Sequence, residues 1–254
     1  MREKWIYRRS IPTARLRLFC FPYAGGGASI YSRWQDAFAD DIEVCAVELP
    51  GRRARLRETP IRQAEALVQA TAGALSALQD LPFAFFGHSM GALLAFELAL
   101  HLRRAGQPGP RALFLSAAAA PQLPRRHRPM WNLPDAEFLK ELRHYGGTPE
   151  EVFADPAMVS LFLPALRADF ELFDTYAYGG ATLEDVPLYV YGGRDDVRVT
   201  PGSLRAWGEV APGLQAVELF PGGHFYLHEQ RAALIAGLRR ELQAHVPGHL
   251  EVAG

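Results

Sequence analysis

Five residues, Gly87-His88-Ser89-Met90-Gly91, stand between an apolar run, Phe83 to Phe86, and a helix-forming stretch that begins at Met90. A serine on a sharp strand-to-helix turn has its hydroxyl lifted clear of the backbone. The two glycines remove the Cβ atoms that would collide in so tight a bend. A helix starting directly after Ser89 also aims its N–H groups and the positive end of its dipole at developing negative charge. This layout suits nucleophilic attack on an acyl carbonyl. The rival reading is a chance pentapeptide, since glycine and serine are common; the strand and helix on either side favour the nucleophile.

A serine hydroxyl attacks only when a base takes its proton, so an acid and a histidine must follow, in the order Ser, acid, His. Both are present. Gly192-Gly193-Arg194-Asp195-Asp196 follows the strand-like run Leu188 to Tyr191, and Gly222-Gly223-His224 follows Val217 to Phe220. In a parallel sheet these strand ends share one edge with Ser89, the edge where ligands bind. Residue chemistry alone does not separate Asp195 from Asp196. The other histidines are weaker candidates. His228 lies four residues beyond His224, but the stretch His-Phe-Tyr-Leu-His lacks the glutamate of the zinc-protease pattern, so a helix-surface role is expected. His88 is expected to pack, and His101, His127, His144, His245 and His249 to lie on the surface.

The elements that must position these groups are legible as alternation. Strand-like runs at Leu16 to Phe21, Ile42 to Val47, Phe83 to Phe86, Ala112 to Ser116, Pro187 to Tyr191 and Gln215 to Phe220 are separated by helical stretches. Those stretches fall near Ile30 to Phe38, Arg62 to Gln79, Met90 to Arg104, Gly202 to Val210 and Tyr226 to Ala244. This is the pattern of a mostly parallel sheet covered on both faces, an α/β class, and 254 residues fit one domain spanning 1–254. The last residues, from Pro247 to Gly254, are expected to fray.

About seventy residues between Ser116 and Pro187 break the alternation and must hold structure of their own. Phe138, Leu139, Leu142 and Tyr145 share a helical face before a Gly146-Gly147 stop. Thr148, Pro149 and Glu151 form a capping box, and Asp155-Pro156 repeats the start signal. Met158, Val159, Phe162, Leu166 and Phe170 continue an apolar stripe past an expected kink at Pro164. A helical insertion over 121–182 is therefore predicted, its stripe serving first as packing core and second as the wall of an acyl pocket.

Composition excludes several classes. With 27 basic and 28 acidic residues the net charge is −1, which gives no general reason to bind nucleic acid or an anionic membrane. All the basic residues except Lys4 and Lys140 are arginine, suited to forked contact with phosphate or carboxylate where they cluster. No uncharged apolar run reaches 18 residues, so a membrane span is not expected. Cys20 and Cys45 lie in strand-like runs and read as buried free thiols, pointing to a reducing, cytoplasmic setting. The glycine run Gly25-Gly26-Gly27 lacks both the dinucleotide fingerprint and the Walker lysine, which ranks a nucleotide cradle low.

The motifs, in their order, resemble the type II thioesterases that accompany nonribosomal peptide and polyketide synthetases, within the α/β-hydrolase superfamily. The likeness runs through Leu18-Phe19-Cys20-Phe21-Pro22-Tyr23-Ala24-Gly25-Gly26-Gly27, Glu48-Leu49-Pro50-Gly51-Arg52 and Gly87 to Gly91. It continues through Leu163-Pro164-Ala165-Leu166-Arg167-Ala168-Asp169 and Phe220-Pro221-Gly222-Gly223-His224-Phe225. The resemblance implies an α/β-hydrolase fold with a helical lid and a Ser-His-Asp hydrolase without cofactor or metal. Its Gly-Gly-x-x-Asp pattern selects Asp196 beside Ser89 and His224, although Val197 stands where proline commonly follows and Tyr23 where many members carry histidine. It implies an oxyanion hole from the backbone N–H groups of Ala24 and Met90. The implied partner is an acyl-loaded, phosphopantetheinylated carrier protein whose thioester is cleaved to edit a synthetase. Arg52 and the cluster Arg125-Arg126-His127-Arg128 are candidate contacts for that acidic partner or its phosphate. A general carboxylesterase or acyltransferase on the same three residues, and a non-catalytic binding protein on the same scaffold, are the alternatives.

Overall fold

A computed structural model describes residues 4–38, 41–125, 128–148 and 150–248. The expectations for Arg126, His127, Pro149, His249 and the last residues of the chain fall outside them.

Seven strands form one sheet: β1 (Ile6–Tyr7), β2 (Leu16–Phe21), β3 (Ile42–Val47), β4 (Phe83–His88), β5 (Leu113–Ser116), β6 (Leu188–Gly193) and β7 (Leu214–Phe220). Their order is β1-β3-β2-β4-β5-β6-β7, and every pairing is parallel except that of β1 with β3. Strands β2 to β6 are buried along their whole length, which is why they read as unbroken apolar runs. The two-residue strand β1 is too short to show any periodicity and is not foreseen from the sequence.

Side chains alternate across the sheet. Phe19, Phe21, Cys45, Val47 and Phe85 face one layer, where α1 (Ala64–Leu75) and α2 (Met90–Arg104) pack; Leu18, Cys20, Val44, Ala46 and Phe86 face the other, with Tyr31, Trp34 and Leu238. Each buried phenylalanine contributes about 1.5–3 kcal/mol by leaving water. Cys20 and Cys45 are buried free thiols, as their strand positions predict.

The expected helix over Ile30 to Phe38 is instead two short 3-10 turns, Ala28–Tyr31 and Gln35–Ala37. Tertiary bonds decide this. The Tyr31 hydroxyl donates to the Phe21 carbonyl, and the Gln35 side chain bridges the Ile42 carbonyl and the Val44 N–H, so the chain follows those partners. The helix expected over Gly202 to Val210 divides into α6 (Pro201–Arg205) and α7 (Trp207–Val210), and the last one into α8 (Tyr226–Glu229) and α9 (Arg231–Gln243).

Between β5 and β6 the chain forms α3 (Asp135–Tyr145), α4 (Glu150–Ala154) and α5 (Pro156–Thr175). The Asp155-Pro156 start signal holds: the Asp155 carboxylate accepts from the N–H groups of Ala157 and Met158, and Pro156 opens the helix, which then runs on through Pro164. Phe138, Leu142, Leu166 and Phe170 make a small core of their own, apart from the two layers of the sheet. Among the described residues no helix is long and apolar enough to cross a membrane.

Candidate active site

Ser89 follows β4 directly and precedes the first residue of α2. Its backbone has φ 55° and ψ −118°, a region that a non-glycine residue enters at a cost of about 1–3 kcal/mol. Surrounding structure holds it there. The Ser89 N–H donates to the Ser116 carbonyl at 2.8 Å, and its own carbonyl accepts from Ala92 N–H at 2.9 Å. A Cβ on Gly87 would strike the Gly91 carbonyl, and one on Gly91 would strike that of Phe21, so the bend closes only with glycine at both places. Both glycines of the five-residue motif are thereby explained.

The loops after β6 and β7 bring the partners. His224 Nε2 lies 3.0 Å from Ser89 Oγ, and His224 Nδ1 lies 2.7 Å from Asp196 Oδ2. Asp196 Oδ1 accepts from the Arg198 and Val199 N–H groups at 2.9 and 3.2 Å. Burial works against the charged form of Asp196, but the bond and charge from His224, with those two N–H groups, outweigh it and hold the carboxyl below its ordinary range. Asp196 is therefore an anion, and a hydrogen on Nδ1 leaves Nε2 free to accept from Ser89. Asp195 turns away: its Oδ2 accepts from Gly222 N–H at 3.2 Å, and its residue is exposed. Asp196 is the acid within reach of the imidazole.

The backbone N–H of Met90 opens α2, and that of Ala24 lies in the glycine-rich turn after β2. Among the described residues neither donates to a protein acceptor. Two cavities meet at Ser89, of about 280 and 300 Å³. The first lies under Gly25 to Gly27 and the insertion residues Leu142, Phe162 and Phe170. The second lies beside Leu93, Ala117 to Pro121 and Phe173. Tyr145 lines both, its ring edge-on to that of His224 at 5.6 Å. The apolar stripe of the insertion is packing and cavity wall at once: Phe162, Leu166 and Phe170 pack together and also line the first cavity.

Arg52 requires correction. It was a candidate contact for a carrier protein, yet it is 4% exposed and its guanidinium forks onto Asp169 of α5, with Nη1–Oδ2 at 2.8 Å and Nη2–Oδ1 at 2.9 Å. A buried carboxylate outcompetes a partner in solution for that fork. Arg125 is exposed; it donates to the Tyr176 carbonyl at 2.9 Å and stands over the Phe173 ring. His228 is exposed on α8, its Nε2 bonded to the Tyr23 hydroxyl at 2.9 Å. His144 is exposed, and His101 and His245 are partly covered. Among the described residues no group of three or more His, Cys, Asp or Glu is placed to hold a metal.

His88 does more than pack. It is fully buried, with Nε2 3.0 Å from the His224 carbonyl and Nδ1 2.8 Å from Ser116 Oγ, which is 2.6 Å from the Tyr226 hydroxyl. A carbonyl can only accept, so His88 carries its hydrogen on Nε2, Ser116 donates to Nδ1, and Tyr226 donates to Ser116. This chain fixes the backbone of His224. Its members sit at the ends of β4 and β5 and on α8, and no spacing in the sequence announces that they meet.

Burial, and then the neighbouring His224, pushes His88 well below the ordinary histidine range, so it stays neutral. The unfolded chain binds a proton there below pH ~6.5 that the native protein does not, so stability present above that pH is lost as pH falls, at up to about 1.4 kcal/mol per unit. His88→Gln is expected to lower stability at pH 7.5 yet to be less acid-sensitive. Between pH 7.5 and 5.5 the parent should lose about 1.4 kcal/mol more than the variant in urea unfolding. Equal losses would contradict a neutral buried His88.

Comparison with known proteins bears directly on this geometry. The Thioesterase domain family matches residues 16–242. The chain belongs to the thioesterase family. It is 42% identical over 242 residues to the gramicidin S biosynthesis protein GrsT of Aneurinibacillus migulanus, covering 95% of this chain and 94% of that protein. Among solved structures, it resembles the thioesterase RedJ from the prodiginine pathway of Streptomyces coelicolor, at 38% identity, TM-score 0.85, and 92% of each chain. It also resembles the type II thioesterase BorB from the borrelidin cluster, at 38% identity and TM-score 0.82, covering 94% of this chain and 96% of that one. The fold of this thioesterase is the α/β-hydrolase fold, with one antiparallel strand at the edge of a parallel sheet and the strained turn at Ser89 after β4.

Proposed function

We propose that this thioesterase hydrolyses acyl thioesters carried on the phosphopantetheine arm of carrier proteins, clearing stalled or wrongly loaded acyl groups from a nonribosomal peptide or polyketide synthetase in the cytoplasm. The observation that supports it most is the imidazole of His224 bridging Ser89 Oγ and Asp196 Oδ2 where two cavities meet. A thioester has a chain on either side of its carbonyl, and two cavities meeting at one hydroxyl suit such a substrate. Membership beside GrsT and BorB supports the synthetase setting.

In this reading Ser89 Oγ attacks the thioester carbonyl while His224 Nε2 takes its proton, and Asp196 holds the imidazole and balances the imidazolium. The oxyanion accepts from Ala24 N–H and Met90 N–H. Collapse breaks the C–S bond, and His224 returns the proton to the departing thiolate. Water then gives a proton to His224 Nε2 and attacks the acyl-serine carbonyl; the acyl–Oγ bond breaks as His224 returns that proton to Ser89 Oγ, leaving the free acid and restored Ser89. The chain works as one domain over 1–254, and the insertion over 121–182 acts as a lid whose movement admits the arm.

The test compares kcat/KM for an acyl-carrier, the matched acyl-pantetheine and an oxygen-ester analogue. The acyl-carrier is expected to be the best substrate and the ester the poorest; a preference for the ester would instead indicate a carboxylesterase. Arg125→Glu is expected to raise KM for acyl-carrier about 3–10-fold, the scale of one charged contact at a rim, without changing KM for acyl-pantetheine. Equal changes on both substrates would reject Arg125 as a carrier contact.

A further inference from the structure

The glycine turn after β2 is held from the insertion. Asp169, 1% exposed on α5, accepts from Gly25 N–H through Oδ2 at 2.7 Å. The same oxygen and its twin take the Arg52 fork, and Arg52 Nη1 also donates to the Gly26 carbonyl at 2.8 Å. Inside the turn, Gly26 N–H donates to the Tyr23 carbonyl at 2.9 Å. Four successive peptide units are thereby fixed. Tyr23–Ala24 is held by its carbonyl, Ala24–Gly25 by its N–H on Asp169, Gly25–Gly26 by its N–H on the Tyr23 carbonyl, and Gly26–Gly27 by its carbonyl on Arg52.

The first of these units carries the Ala24 N–H. In a trans peptide the N–H points opposite to the carbonyl, so a carbonyl fixed by Gly26 fixes the direction of that N–H as well. The hydrogen bond that sets it is itself flanked by the two groups of the ion pair. Gly25 has φ +77°, and a Cβ there would strike Leu166 of α5, so the helix also seats directly on the turn. The arrangement is costly to leave half made. A buried carboxylate without its guanidinium would place an unbalanced negative charge beside the donors meant for an oxyanion.

We propose that Asp169 and Arg52 are positioning residues for the thioester reaction, with the insertion helix α5 aiming the Ala24 N–H at the developing oxyanion through the Gly25-Gly26 turn. This rests on the reading of Ala24 N–H as an oxyanion donor and of Ser89 as the nucleophile. Neither Asp169 nor Arg52 needs to touch the substrate.

The experiment uses the full chain and the isosteric variant Asp169→Asn, whose single side-chain oxygen can replace Oδ1 or Oδ2 but not both, so that its NH₂ group meets either Arg52 Nη2 or Gly25 N–H donor against donor. Three quantities are measured: kcat/KM on an acyl-pantetheine, the Ki of an alkyl boronic acid that forms a tetrahedral adduct on the serine, and the Kd of an unreactive ether analogue of the substrate. A misaimed donor is expected to lower kcat/KM about 10–100-fold. The boronic acid should weaken in the same proportion, with the ether analogue unchanged within about twofold, a split that general loosening would not produce. Unchanged kcat/KM in folded Asp169→Asn, or parallel weakening of the ether analogue, would overturn the proposal. Should Asp169→Asn fail to fold, Arg52→Lys, which keeps the charge and loses the fork, is judged by the same three measurements. Ser89→Ala runs alongside. If it is inactive while Asp169→Asn is fully active, only the positioning role falls; if it is active, the reading beneath it falls too.

Discussion

Ser89→Ala is expected to lower kcat/KM for an acyl thioester by about 10⁴-fold or more, which at 1.36 kcal/mol per tenfold is a loss of roughly 5.5 kcal/mol of transition-state stabilisation. Two features make this a clean experiment. The side-chain hydroxyl bonds to His224 Nε2 and to the Tyr145 side chain, both of which line the second cavity, and alanine meets the same backbone strain at φ 55° that serine does. The variant should therefore keep the parent's circular dichroism and unfolding midpoint. The residual rate would come from Met90 and Ala24 and from substrate binding, which survive the change. Activity within tenfold of the parent, in a folded protein, would remove Ser89 from the chemistry.

Asp196→Asn is expected to cost about 10³–10⁴-fold, and the direction follows from the bonds to both carboxylate oxygens. Oδ1 accepts from two backbone N–H groups, so an asparagine keeps its carbonyl oxygen there and turns its NH₂ toward His224 Nδ1. Nδ1 must then accept, the ring hydrogen moves to Nε2, and Nε2 can no longer take the proton of Ser89. The imidazole stays in place in the wrong tautomer. Asp195→Asn, one residue away, should change kcat/KM no more than a few-fold, because Asp195 faces Gly222 and not His224. The ratio between the two variants on one thioester substrate checks the assignment; equal losses would contradict it.

Much of this was readable in the chain because the determining physics is local. Unbroken apolar runs announced β2 to β6 because those strands are covered on both faces, and the Gly-x-Ser-x-Gly spacing announced the strained strand-to-helix turn at Ser89 because a Cβ at either glycine would block the bend. The choice between Asp195 and Asp196 was not local. It depends on which carboxylate meets the Arg198 and Val199 N–H groups after the loop folds, and only family likeness favoured Asp196 beforehand. Arg52 was misread for a similar reason. Its partner Asp169 lies 117 residues further along, and nothing near Arg52 signals burial. Helical periodicity put Tyr145 on the apolar face of α3, but its place against the His224 ring is a product of tertiary packing. Likewise the 3-10 turns after the glycine run follow the bonds of Tyr31 and Gln35 more than their helical propensity.

The most direct test is to catch the covalent species. Wild-type protein and an isotopically labelled acyl-pantetheine are mixed, quenched in acid during turnover, and digested for peptide mass mapping. The label is expected on Ser89 as an acyl ester and absent from Ser89→Ala. Turnover with no acyl mass on the protein would point to direct attack by water, and label on any other side chain would name a different nucleophile; either result would contradict an acyl-Ser89 mechanism.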